Sequence, residues 1–467
     1  MYKTFVYINL ALIVLVISGC ATSPANNAIK SVEQSTNAYL GKELALIKTE
    51  QEHTAANQRI QQLLQGELSV DDAVQLALLN NKNLQATLYE VGISEADLAQ
   101  ASSLPNPRFS MLYAKNRDQY KIEQSITFNI LSLFTRSLAK QVGEQQLAQT
   151  QQMVTLEVLK LAAETRKAYF NSIAAEQAVV YMQQVQDAAE SSASLAKEMA
   201  KAGNFSQRDQ MREQLFYAQA MAEYQRAQQA SVEAREQLAR LLGLVNDTAI
   251  KLPNRLPNLP TEIPSQFAQQ PEVEALAMKQ RLDIQAMQQE TQSLAKRLGL
   301  TKTTRFINVL EVGPARVLEG GRNDGYKNGV DISVELPIFD FGEAKVARAE
   351  AIYMQAVNRL AAQAVNARSQ VRLAYRNYRS QYVLAKQYQD EIIPLRKRMA
   401  DESLLRYNGM LISVFELLQD AQLQVSTTHQ YIQTLRDYWV ATSDLEMVML
   451  GNPSSGASSS QKEVSSW

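Results

Sequence analysis

The chain has 467 residues, with 47 Lys or Arg against 48 Asp or Glu, a formal charge of −1, two histidines and one cysteine. So even a balance excludes the basic excess that nucleic-acid binding uses. A single thiol excludes an intrachain disulfide and any cysteine metal cluster.

The first element is a signal peptide over 1–19. An uncharged apolar run from Phe5 to Ile17 follows Lys3 and ends in Ile17-Ser18-Gly19-Cys20. The run is too short to span a bilayer and stops on small residues. Cys20 stands where the cleavage pattern of bacterial lipoproteins places the lipid acceptor, so the mature chain is expected to start at a diacylated Cys20. Ala21 resembles the residue found in lipoproteins sorted to the outer membrane. Beyond this peptide no apolar run is long enough for a transmembrane helix, which leaves strands or the lipid anchor as the means of membrane attachment.

After an N-terminal periplasmic segment (20–68) the chain repeats itself. Leu76-Ala77-Leu78 through Leu84-Gln85-Ala86 aligns with Leu276-Ala277-Met278 through Ile284-Gln285-Ala286. Ile126–Ile130 aligns with Ile332–Leu336, and Gly203 with Gly409. Two equivalent halves are expected, 69–243 and 271–450. Between them, 244–270 is a connector carrying Pro253, Pro257, Pro260 and Pro264, which suits neither helix nor central strand.

Each half predicts a helix, two strands, a very long helix, a tight turn and a further helix. The stretch from Arg136 to Ala202 lacks proline and would span about 100 Å as a helix. Its counterpart, Glu343 to Tyr407, carries a heptad-like stripe of Val357, Ala361, Ala364, Val371, Tyr375 and Tyr378. Small residues dominate that stripe, and such helices need lateral partners. Gly203 and Gly409 are each expected to end a long helix as a left-handed residue.

The strands are expected at about 107–115, 120–132, 304–312 and 328–338. Tyr120, Ile122, Ile126, Phe128 and Ile130 alternate with Lys121, Glu123, Ser125, Thr127 and Asn129, although Gln124 shares the apolar side. Val330, Ile332 and Val334 oppose Asp331, Ser333 and Glu335. This alternation over roughly 9–11 residues fits tilted transmembrane strands. Lys121, Glu123, Asp331 and Glu335 would then face a lumen. Four strands cannot close a barrel, for which about eight are needed, so several copies must share one.

Here the sequence resembles the TolC family of outer-membrane efflux proteins. The likeness rests on Leu104-Pro105-Asn106-Pro107, Leu336-Pro337-Ile338-Phe339-Asp340-Phe341-Gly342, Arg406-Tyr407-Asn408-Gly409-Met410-Leu411 and Glu416-Leu417-Leu418-Gln419-Asp420-Ala421-Gln422, together with the repeat. It implies a mainly α fold with a small β part: a homotrimer whose four strands per protomer build a twelve-stranded barrel in the outer-membrane lipid. Its long helical hairpins would form a hollow periplasmic cylinder. It also implies a periplasmic adaptor and an inner-membrane pump as partners, no cofactor and no catalysis. The turns at Gly203 and Gly409 would lie at the periplasmic end, with Glu416 and Asp420 as a candidate acidic gate; an ordinary solvated face is the alternative. Arg208 and Asp209 at the first turn would serve an adaptor contact or interhelical ion pairs.

Other constellations fail. Ser-x-x-Lys occurs at Ser137, Ser194 and Ser293 without the companion motifs of acyl-serine enzymes. His53 and His429 have no ligand-spaced partners, and 320–325 lacks the Gly-Lys-Ser/Thr of a phosphate loop. The Ser-rich tail, 451–467, is expected to be disordered. A periplasmic adaptor would need compact β domains and no repeat, and a structural coiled-coil lipoprotein would need no strands of transmembrane length.

Overall fold

The computed structural model describes residues 27–451 apart from 118, 246–249, 268, 307–308, 322–323 and 336–337. The signal peptide, Cys20 and the Ser-rich tail past Gly451 lie outside the described residues.

Two short helices, α1 (Asn27–Leu40) and α2 (Glu50–Leu63), precede the repeat. The first half comprises α3 (Val70–Asn80), α4 (Lys82–Ser102), β1 (Arg108–Asn116), β2 (Gln119–Asn129), α5 (Ile130–Lys201) and α6 (Gln207–Leu241). The second half comprises α7 (Gln270–Gln280), α8 (Leu282–Thr304), β3 (Leu310–Gly320), β4 (Lys327–Val334), α9 (Glu343–Gln387), a π-helical turn (Tyr388–Ile392), α10 (Ile393–Asn408) and α11 (Val414–Leu450).

The four strands form one antiparallel sheet in the order β1-β2-β3-β4, leaving the outer edges of β1 and β4 unpaired among the described residues. Below it the long helices lie side by side. Near the sheet the order is α4, α5, α8, α9; farther away α6 continues under α4 and α11 under α8, giving α6, α5, α11 and then α9 with α10. The connector covers one face of this layer. Its Leu252, Leu256, Leu259 and Phe267 are buried with Tyr378, Tyr382, Tyr438 and Phe170 in the principal core.

The halves are tied at equivalent points. At the α3/α4 kink Asn81 caps Leu84 N–H and its Nδ2 donates to the Leu241 carbonyl near the end of α6 (2.9 Å). At the α7/α8 kink Arg281 takes the same backbone conformation, and its Nη1 donates to the Val448 carbonyl near the end of α11 (2.9 Å). Arg281 is fully buried; its charge is met by Asp283 (Nε to Oδ1 3.0 Å), and Gln363 of α9 donates to the same carboxylate (2.8 Å).

Several elements depart from the sequence expectation. The second strand stops at Asn129 rather than 132, because the Asn129 side chain accepts from Ser132 N–H and starts α5, which therefore begins before Arg136. The third strand is not at 304–312: α8 runs through Thr304 and the strand spans Leu310–Gly320. Gly313-Pro314 suggests a break, yet the chain passes through it extended. Pro314 has no N–H to give, and the β2–β3 ladder lapses between the Ser125–Ala315 and Phe128–Val312 pairs. A Cβ at Gly313 would lie 1.7 Å from the Ile126 carbonyl oxygen, so only glycine fits there. The fourth strand ends at Val334, short of 338, although Glu335 N–H still donates to the Val309 carbonyl (3.2 Å).

The second long helix is not continuous from Glu343 to Tyr407. Pro394 has no N–H and its ring crowds the carbonyl four residues back, and the π turn at Tyr388–Ile392 absorbs the mismatch. The stripe expected on it holds only in part: Val371, Tyr375 and Tyr378 are buried, whereas Ala361 is exposed and Ala356, Gln363 and Ala367 take the buried positions.

Asp283→Ala leaves the Arg281 guanidinium buried without its counter-charge. It is expected to cost about 3–5 kcal/mol, whereas replacing both residues by apolar ones of similar volume costs little. Denaturation midpoints of the two variants in detergent check the contrast.

Candidate functional site

On one face of the sheet Phe109, Met111, Tyr113, Ile122, Ile126 and Phe128 pair across the strands with Val312, Leu318, Val330 and Ile332, by register. Most of these side chains are exposed, which a water-facing sheet would avoid. The opposite face is polar: Ser110 and Ser125 share a hydrogen bond (2.8 Å), Arg108 pairs with Glu311 (3.3 Å), and Lys121 with Glu123 (3.5 Å). Asp331 lies on this face opposite Gly313, and Glu335 lies one residue beyond the strand.

The apolar face carries a polar row that the alternation only partly foretold. Gln124, Arg316 and Asn328 stand in register; Arg316 Nε donates to Gln124 Oε1 (2.7 Å), and its guanidinium lies over the Tyr326 ring (5.0 Å). Displacing the third strand by several residues hid Arg316 from the sequence pattern.

At the far end of the helices two turns are built alike. After Ala202, Gly203 N–H donates to Ala200 O and Asn204 N–H to Met199 O, with Gly203 left-handed at φ +75°. After Gly409 the same pair of bonds is made by Met410 and Leu411, to Tyr407 O and Arg406 O. Gly409 is therefore not the left-handed residue; its φ is −81°, and Met410 takes that conformation at φ +60°. The sequence pairing of Gly203 with Gly409 is out by one, and Met410 is the true counterpart.

This shift settles what the acidic residues do within the protomer. Ser206 and Ser413 each cap a helix three residues past the left-handed position, and Asp209 and Glu416 are the matching third helical residues. Ser206 Oγ donates to Asp209 (2.6 Å), and Glu416 accepts from Ser413 N–H (3.2 Å) in a full capping box. Four residues on, Glu213 is buried and accepts from Ser192 Oγ (2.6 Å), while Asp420 accepts from Ser403 Oγ. Asp420 thus closes its hairpin as Glu213 closes the other. Glu416 and Asp420 are both engaged, and Arg208 is exposed.

On the side of α5 away from Gln177, which accepts from the connector at Leu256 N–H, a groove of about 230 Å³ is lined by Asn171, Ala175, Ala178, Met182, His429 and Gln433. His429 Nδ1 has no hydrogen-bond partner, and burial holds the imidazole below its ordinary pKa of 6.5. Among the described residues no helix is long and apolar enough to cross a membrane, which says nothing of strands.

The architecture is that of the outer-membrane channels of the TolC type. No family model matches the sequence, and no curated protein matches it. Among solved structures the chain is similar to a membrane protein from Pseudomonas aeruginosa, with 18% identity over 81% of this chain and 93% of that one, at a TM-score of 0.69. It is similar also to the outer-membrane channel OprN (15% identity, 90% and 96% covered, TM-score 0.68). The CmeC outer membrane channel of Campylobacter jejuni gives 16% identity, 87% and 89% coverage and a TM-score of 0.66. At these identities the shared property is the fold.

Two outcomes follow from the turns and the groove. Met410→Gly is expected to stabilise the second hairpin by up to about 1 kcal/mol and Gly203→Met to destabilise the first by a similar amount, because a side chain in the left-handed region is strained; melting temperatures read both. For His429, a lowered folded pKa means that the unfolded chain binds the proton first. Stability is then lost as pH falls below 6.5, and His429→Gln flattens that slope in denaturation curves between pH 7 and 5.

Proposed function

We propose that this chain is the outer-membrane exit duct of a tripartite efflux or export system. The copies would be anchored through a lipidated Cys20 and passively conduct substrate handed over by an inner-membrane pump and a periplasmic adaptor. The observation that carries this reading is the four-stranded sheet: apolar and exposed on one face, polar on the other, unpaired at both edges and joined directly to a single layer of long helices. In lipid every backbone N–H and C=O needs a partner, so such a sheet has to close with further copies. Three would give the twelve strands that the TolC resemblance implies.

In a duct the covering connector lies outside, since inside it would be a plug. The uncovered face of the helices then lines the lumen with neutral polar groups, among them Asn366, Asn377 and Ser380 of α9 and Gln419, Ser426 and Gln430 of α11. Lys121, Glu123 and Asp331 would line the barrel. The turns at Gly203 and Gly409, with Arg208 and Asp209, would meet the adaptor. Because Glu416 and Asp420 are tied to Ser413 and Ser403, they act in this reading by holding the periplasmic tip closed.

Planar-bilayer recording on the detergent-extracted protein tests this. Wild type is expected to give discrete but rare openings, and Glu416→Ala with Asp420→Ala to raise open probability several-fold at unchanged ion selectivity. A loss of cation preference instead would assign the pair to a charged ring in the lumen, and absence of any channel would overturn the duct.

A further inference from the structure

The two faces of the sheet carry different charges. By register every acidic residue of the four strands, Glu123, Glu311, Glu319 and Asp331, lies on the polar face, mixed with bases. The apolar face carries two charges, Lys115 and Arg316, and both are cations. Neither has a carboxylate partner among the described residues: Lys115 Nζ lies over the Tyr120 ring (5.4 Å), and Arg316 holds Gln124 and the Tyr326 ring. Both side chains are exposed. A cation on an apolar face, with no acid beside it, calls for an anion from outside the chain.

Both cations lie towards the hairpin tips, the end of the sheet away from the helices. Lys115 and Tyr120 are the last apolar-face pair before the first tip, and Arg316 stands four residues below Gly320, which pairs with Tyr120. At about 3.3 Å per residue and a strand tilt near 45°, Arg316 is roughly 9 Å beneath the tips. A lipid-facing cation is costly at the bilayer midplane and nearly free near the interface. Tyr326 is two residues nearer the tip than Asn328, the strand partner of Arg316, so the guanidinium leans towards the tip. The aromatic residues mark the same level. Tyr113 and Tyr120 stand at this end of the face, whereas Phe109 and Phe128 lie towards the helices. Phenolic rings settle where one end is apolar and the other wet.

We propose that Lys115 and Arg316 bind the phosphates of lipid A, the bisphosphorylated disaccharide lipid of the outer leaflet. Sign and position both select it, because phospholipids of the inner leaflet would meet the helix end of the sheet. Gln124 accepts from Arg316 Nε (2.7 Å), which leaves the two Nη groups as a fork for phosphate oxygens. Lys115 lies two strands across and four residues along, about 16 Å away between backbones. With the head groups held at Gln124 and Tyr120, that separation suits phosphates at the two ends of a disaccharide better than a single phosphate. Tyr113 and Ile122 form the row between them, an apolar floor for sugar and acyl chain.

This rests on the duct reading, which puts the tips outside and the apolar face in lipid. Detergent-extracted protein is titrated with bisphosphorylated lipid A, and with the same lipid after both phosphates are removed, and binding is read by native mass spectrometry. Wild type is expected to bind the phosphorylated form at least ten-fold more tightly. Arg316→Gln with Lys115→Gln should bind both forms alike, Arg316→Lys should keep part of the preference, and Lys327→Gln, on the polar face by the second tip, should keep all of it. The wild-type comparison needs no substitution, and planar-bilayer recording shows whether each variant still folds into a channel. A conducting wild type without phosphate preference overturns the lipid site alone, as does a preference that survives the double change or falls equally with Lys327→Gln. Wild type that stays monomeric and conducts nothing overturns the duct reading, and the lipid site with it.

Discussion

A layer of secondary structure with two open edges has to be finished by something, and in this chain both layers have them. The sheet leaves one row of backbone donors and acceptors free on β1 and another on β4. The helices below leave α6 and α9 without a neighbour on their outer flanks. The edges coincide on one side, because α9 follows β4 in the chain after 335–342, and a helix added beside α9 accompanies a strand added beside β4. Sheet and helices therefore close by the same operation. A soluble sheet could be satisfied by water at its edges, but one that exposes phenylalanine, isoleucine and tyrosine along most of one face could not.

What keeps the helices in one layer is the pair of kinks at Asn81 and Arg281. Each joins a short helix to the next, and each ties a carbonyl at or near the end of the half's returning helix. An amide suffices in the first half. In the second the same task falls to a buried guanidinium, which draws in Asp283, Gln363 and Gln370 and so binds α9 to the kink. Sequence repeats of this kind preserve positions and tasks, while the chemistry that performs the task is free to differ.

That freedom explains which parts of the structure were legible in the sequence. The long helices of each half, apart from the π turn before Pro394, and three of the four strands follow from periodicities that composition does not blur. The third strand lies beyond 304–312 and runs through Gly313-Pro314, a pair with the signature of a turn, and only the missing ladder bonds to β2 reveal why a strand tolerates it. The acidic pair was legible as a feature, while the contacts it makes within its own hairpin were not. Pairing Gly203 with Gly409 conceals that Met410 is the left-handed residue, and hence that Glu416 occupies a capping position and Asp420 repeats Glu213.

The placement of charge has a consequence for conduction. Ion pairs such as Arg166–Glu446 and Lys167–Asp444 tie α5 to α11. In the proposed duct the face left to line the channel is rich in Asn, Gln and Ser, whose dipoles can replace part of a solute's hydration without holding any one solute tightly. Passage requires binding weak enough to leave. A wall on which neutral dipoles outnumber fixed charges would hold solutes of either sign weakly, and in the proposed duct the choice among them would then fall to the pump and adaptor.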